Sequence, residues 1–199
     1  LDGCAVRLVG SLTDRGLVRA ALTASAVEQV TGWGEVEWVE PYLPPRLLND
    51  VALSTAKMNV SNAWSVLGLS GTNQIIAVCD TGLDSGNTNT IHQDFFGRVA
   101  WAQGLGRVGI WSDTNGHGTH VAGSILGSGA LSSGRYRGGS YAARIVFQSV
   151  LDSGGGLGGL PADLNVLYRA AFTNGARIHS DSWGSADAGS YTTESRATD

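Results

Sequence analysis

Ile75-Ile76-Ala77-Val78-Cys79 is an unbroken apolar run closed by Asp80-Thr81-Gly82. A strand that is apolar at every position must bury both faces, which happens in a parallel sheet covered by helices on each side. The residues beyond it supply the alternation such a sheet needs. The pattern predicts a second strand over 99–103, a helix over 117–126 stopped by Gly127, and a strand over 145–147. A helix opening at Pro161 and reaching about residue 173 follows, with Leu164, Leu167, Tyr168 and Ala171 on its apolar face and Gly175 past its end. Residues 176–180 make a further strand. The class is α/β, with helices on both faces of a mostly parallel sheet.

The first forty residues read as a smaller unit. They predict a strand around 5–9, and a helix capped by Thr13 or Asp14 that runs to about residue 23 with Leu17, Val18 and Leu22 on one face. Glu35-Val36-Glu37-Trp38-Val39-Glu40 alternates with period two, as a half-buried strand does. Pro41, Pro44 and Pro45 then favour an extended linker to about residue 48. At 199 residues the whole chain has room for one sizeable core. A net charge of −4 leaves no basic footprint for a nucleic-acid backbone. The 29 glycines have no three-residue period, so they mark turns and not collagen. No apolar run approaches the ~20 residues of a membrane span, and no charged start followed by an apolar stretch reads as a signal peptide. The chain begins at Leu1 and stops at Asp199 without a terminating pattern, as expected of a piece of a longer protein. Cys4 and Cys79 cannot make a disulfide framework, and Cys79 is expected as a buried small hydrophobe.

In open parallel sheets, ligands gather at the carboxyl ends of the strands. Asp80 is at such an end, although alone it reads as an Asx-turn or helix cap. The second cluster is Asp113-Thr114-Asn115-Gly116-His117-Gly118-Thr119-His120-Val121-Ala122-Gly123. His117 opens a helix there, and the positive end of the macrodipole favours the neutral imidazole, the form a general base needs. His120 is expected as a core histidine bonded to a backbone group, because no His-Glu-x-x-His or nearby cysteine supports zinc. His92 and His179 are expected to be structural. Gly154-Gly155-Gly156-Leu157-Gly158-Gly159 invites comparison with a phosphate loop but lacks the lysine and the spacing of the known fingerprints.

Asp-Thr-Gly after a buried strand, with His-Gly-Thr-His-Val-Ala-Gly opening a helix 37 positions later, resembles the subtilisin-like serine peptidases, or subtilases. The resemblance covers about residues 49–199 and includes Ala176-Arg177-Ile178-His179-Ser180-Asp181-Ser182-Trp183-Gly184, similar to the strand lining that family's substrate cleft. It implies a three-layer α/β/α fold and hydrolysis of peptide bonds by an Asp-His-Ser triad, with His117 as general base and Asp80 fixing its tautomer. Ser182, Trp183 and Gly184 would offer main-chain groups to an extended peptide, with Gly156, Leu157 and Gly158 on the opposite wall. Residues 1–48 resemble the end of a propeptide, a small α+β unit that occupies the cleft, followed by the start of the mature enzyme at Asn49. Secretion and a structural calcium ion are further implications, the latter with Asp94 as the ligand candidate.

The family's Gly-Thr-Ser-Met-Ala nucleophile segment and Ala-Gly-Asn oxyanion segment are absent from these 199 residues. The resemblance therefore implies an inactive half-domain whose partial sheet leaves an edge uncovered. A different class of function, a truncated non-catalytic peptide-binding module, is the alternative. No nucleic acid and no membrane span are expected among its partners.

Overall fold

The computed structural model describes residues 6–12, 17–40, 52–54, 56–184, 190–191 and 193–198, which fall into two units divided between Leu47 and Leu48. In the first unit β1 (Val6–Leu12) pairs antiparallel with β2 (Leu17–Leu22) through a register shift between Leu8 and Gly10. Helix α1 (Ala24–Val30) follows, and the Thr23 hydroxyl accepts the Ala26 N–H at 3.2 Å to cap it. Residues 17–22 are thus a strand where the sequence predicted a helix. The ladder to β1 satisfies their backbone, whereas a helix that short has little to stabilise it alone. The strand predicted over 35–40 is also absent. No described strand lies beside it, and an alternating segment with three glutamates gains nothing from extension without a partner. The predicted linker, 41–48, lies outside the described residues.

The second unit contains α2 (Val60–Ser65), β3 (Ile75–Asp80), β4 (Val99–Gly104), α3 (His117–Leu126), β5 (Arg144–Ser149), α4 (Asn165–Thr173), β6 (Ile178–Asp181) and α5 (Thr193–Thr198). Its four strands form one parallel sheet in the order β4-β5-β3-β6. Burial follows the expectation from the apolar run: Ile76 is 4% exposed, and Ala77, Val78 and Cys79 not at all. Ile76 and Val78 pack with Ile145, Phe147, Ala122 and Leu126 on the α3 side. Ala77 and Val146 pack with Ala171 of α4, and Cys79 with Leu164 and Leu167, on the opposite side. The layers are therefore α/β/α, as predicted. Each fully buried leucine contributes roughly 2 kcal/mol from area alone.

Helix α4 begins four residues later than the Pro161 start predicted, because the Asp163 carboxylate accepts the Asn165 N–H at 3.0 Å and fixes the first turn there. Helix α3 begins at His117 and is followed by Gly127, as expected. No helix among the described residues is long and apolar enough to cross a membrane.

Candidate active site

β3 delivers Asp80 to the carboxyl edge of the sheet, where its side chain is 2% exposed. Helix α3 starts over the same edge, so its first residue faces that carboxylate. His117 Nδ1 is 2.8 Å from Asp80 Oδ1, which also accepts the Thr81 N–H at 2.7 Å. A carboxylate only accepts, so Nδ1 carries the ring proton and Nε2 keeps a lone pair. The imidazole is 52% exposed, which leaves Nε2 reachable while the carboxylate behind it stays dry. Asp80 Oδ2 is buried with no hydrogen-bond partner among the described residues, so its charge acts chiefly on the imidazole.

This approach requires Gly118. A Cβ there would collide with the Gly82 carbonyl oxygen and stand 3.1 Å from Asp80 Cβ. Only glycine lets the first turn of α3 come so close to the end of β3.

Asp113 holds the two sides together. Its Oδ1 accepts the Asn115 N–H at 3.0 Å, the Gly116 N–H at 2.8 Å and the Thr81 hydroxyl at 3.0 Å. Its Oδ2 accepts the Thr119 N–H at 2.8 Å and the Thr119 hydroxyl at 2.6 Å. Thr81 Oγ1 in turn accepts the Gly118 N–H at 2.9 Å. Burial pushes the Asp113 carboxyl up, but the bonds from Thr119, Gly116 and Thr81 outweigh it and hold the group below its ordinary range. The sequence displayed Asp113, yet nothing in its spacing told a turn carboxylate from one that spans β3 and α3.

The glycine-rich loop contains an internal anion. Asp152 accepts the N–H groups of Gly154 at 2.8 Å, Gly156 at 2.9 Å and Gly158 at 3.0 Å. The bond from Gly156 foremost, then those from Gly154 and Gly158, hold its carboxyl below the ordinary range. A Cβ at Gly158 would collide with Asp152 Oδ2, and one at Gly154 or Gly156 would stand 3.3 Å from the carboxylate. The glycines thus make a nest of amides already filled by the chain's own carboxylate, which explains their number without a phosphate. Gly156 also gives its carbonyl to the Asp152 N–H at 2.9 Å, so both of its main-chain groups are turned inward.

Ser182 and Gly184, just past β6, are exposed, while the half-buried Trp183 donates its Nε1–H to the Cys79 carbonyl at 3.0 Å. Leu157 and Trp183 rest on the same buried cluster of Cys79, Val150, Leu164 and Leu167, so that core carries both segments. Cys79 is the buried hydrophobe expected, its thiol pushed far up by burial and then by the charges of Asp181 and Asp80. His120, expected in the core, is exposed instead: α3 presents Ala122 and Leu126 to the sheet and leaves position 120 outward.

Asp94, the calcium-ligand candidate, is half-buried and bonded to the loop that follows α3. Its Oδ1 accepts the Ala130 N–H at 3.0 Å and the Ser128 hydroxyl at 3.4 Å, and its carbonyl accepts the Arg98 guanidinium. Among the described residues no three His, Cys, Asp or Glu side chains converge on a metal position.

Residues 71–199 match the model of the subtilase family. The chain is 25% identical to the serine protease/ABC transporter B family protein tagA of Dictyostelium discoideum over 81% of its length, and 32% identical to tagB of the same organism over 73%. It is 38% identical to the serine protease AprX of Bacillus subtilis over 51%. It spans only 10%, 8% and 21% of those proteins. The CspB protease of Clostridium perfringens shares the fold, with a TM-score of 0.51 at 18% identity over 64% of this chain and 32% of that one. With the family model covering the whole parallel sheet, the chain belongs to the subtilase family.

Proposed function

We propose that this chain supplies the aspartate and histidine of an Asp-His-Ser serine endopeptidase whose serine and oxyanion asparagine come from residues beyond 199. The 2.8 Å contact between Asp80 and His117 carries the proposal, because it fixes the tautomer a general base requires. His117 Nε2 takes the proton of the serine hydroxyl as its oxygen adds to the peptide carbonyl, then returns it to the leaving amine. Asp80 stabilises the imidazolium between these steps and stays ionised. The 199 residues alone form an inactive part of that machinery.

Ser182, Trp183 and Gly184 are proposed to line the peptide cleft as an added strand would, opposite Gly156, Leu157 and Gly158. The shared core under Leu157 and Trp183 supports this pairing. With the Gly156 and Gly158 amides committed to Asp152, the glycine wall meets the peptide through its remaining carbonyl and side-chain surface. Residues 1–48 are proposed as part of a propeptide and its linker, 49–199 as the first half of the peptidase domain, and the enzyme as secreted. Amino-terminal sequencing of the mature protein starting at Asn49 would support that boundary, and a start elsewhere would reject it.

The test is labelling of the polypeptide that includes the downstream residues with a serine-directed fluorophosphonate. One labelled serine, lost in His117→Ala, is expected. Absence of labelling would reject the peptidase reading in favour of a peptide-binding role.

A further inference from the structure

The sequence contains two Asn-Gly pairs, Asn115-Gly116 and Asn174-Gly175. Such pairs are chemically unstable, because no side chain on the glycine hinders its nitrogen from adding to the asparagine Cγ. The two are held differently. Asn174 is built into the end of α4: its Nδ2–H donates to the Ala170 carbonyl at 2.9 Å, and the Gly175 N–H donates to the Phe172 carbonyl at 3.0 Å. A Cβ at Gly175 would stand 3.0 Å from Ile75 Cδ1, so that side is crowded.

Asn115 and Gly116 are exposed, and a Cβ at Gly116 would meet nothing within 4 Å. Asn115 Oδ1 accepts only the His117 N–H, at 3.3 Å, and its Nδ2 has no hydrogen-bond partner among the described residues. The restraint is on the attacking nitrogen instead. The Gly116 N–H donates to Asp113 Oδ1 at 2.8 Å, and the same oxygen accepts the Asn115 N–H at 3.0 Å. Asp113 is itself fixed by Thr81 and Thr119, so it cannot follow the glycine, and ring closure has to break the bond.

We propose that Asn115 is a self-modification site, a deamidating asparagine whose rate is set by the Asp113–Gly116 hydrogen bond. The Gly116 nitrogen bonds to Asn115 Cγ, the Cγ–Nδ2 bond breaks, and Nδ2 leaves as ammonia with the proton given up by Gly116. Water then opens the succinimide at either carbonyl, leaving aspartate or isoaspartate at position 115. Aspartate keeps the main chain and adds a negative charge beside the positive end of α3. Isoaspartate routes the main chain through the side-chain carbon, one methylene longer, between the Asp113 turn and His117. That product moves His117 off Asp80. Its consequence for peptide cleavage rests on the peptidase reading above; the modification does not.

Peptide mapping by mass spectrometry after incubation in mildly alkaline buffer follows both pairs in one sample, through the mass gained when an amide becomes a carboxylate. In urea-denatured protein the two pairs are expected to convert at similar rates. In folded wild type, conversion at Asn115 is expected to be about tenfold slower than in urea, since a hydrogen bond to a charged group must be given up. In Asp113→Ala, conversion at Asn115 relative to Asn174 should rise about tenfold, because Asn174 keeps its own bonds and reports any general loosening. An unchanged ratio would overturn the role of Asp113. Equal Asn115 rates in folded and urea-denatured wild type would do the same even if the variant fails to fold, and no conversion at Asn115 in either state would overturn the site. In the isoaspartyl fraction, isolated by ion exchange, the His117 Nδ1 proton resonance is expected to be lost, and its retention would overturn the displacement of His117. None of these readouts needs a cleaved peptide, so each is decided whether the peptidase reading stands or fails.

Discussion

The Thr81 hydroxyl donates to Asp113 Oδ1 at 3.0 Å, and that bond ties the turn after Asp80 to the turn leading into His117. Thr81 also receives the Gly118 N–H, so the strand end and the helix start share one polar network. The 2.8 Å contact between Asp80 and His117 is therefore built from both sides, and its geometry depends on Asp113 as well as on Thr81, whose N–H bonds Asp80 Oδ1 directly.

Asp113→Ala leaves the Gly116 and Thr119 amides without their acceptor and should cost roughly 2–4 kcal/mol near pH 7, measured by urea unfolding. The carboxyl is held below its ordinary range, so its contribution is present above that range and lost as pH falls through the lowered folded value. The gap between wild type and Asp113→Ala should narrow below about pH 4.

Gly118→Ala places a methyl group against the Gly82 carbonyl and should cost roughly 1–3 kcal/mol. It should also push α3 off the end of β3. The His117 Nδ1 proton resonance, protected while Asp80 accepts it, should then broaden or disappear. Unchanged stability and an unchanged resonance would show that the close approach is dispensable.

Asp152→Ala should speed amide exchange at Gly154, Gly156 and Gly158 and leave the Gly159 N–H, bonded to the Val150 carbonyl, protected. In the wild type the same three amides should loosen at acid pH. The carboxyl lies below its ordinary range, so release comes as pH falls through that lowered value.

The layers of the second unit were legible because the evidence for them is local. The apolar run from Ile75 to Cys79 can only be buried on both faces, and Gly127 ends α3 as its position suggests. Asp80 and His117 were legible as motif members, and the structure brings them together. What escaped depends on partners distant in sequence. The strand at 17–22 needs β1, and the glycine-rich loop is explained only by Asp152 folding back into it. Gln148 lies inside an apolar run, and His179 and Asp181 read as ordinary strand residues. Their linkage appears only when β5 and β6 take their places on either side of β3.

Cys79 should resist alkylation at pH 8 in the folded protein and react only on unfolding, because its thiol is buried and its ionisation is pushed up. Peptide mapping after iodoacetamide treatment, with and without denaturant, measures this directly. Labelling at Cys79 without denaturant would mean that the core between β3 and α4 opens readily.

The pairing of Asp80 with His117 is tested most directly by kcat/KM of Asp80→Asn against wild type in the polypeptide extended to include the proposed downstream serine. Loss of the carboxylate leaves the imidazole in the wrong tautomer, so a fall of about 10⁴-fold with the fold intact is predicted. A change of less than about tenfold would contradict a catalytic role for the pair.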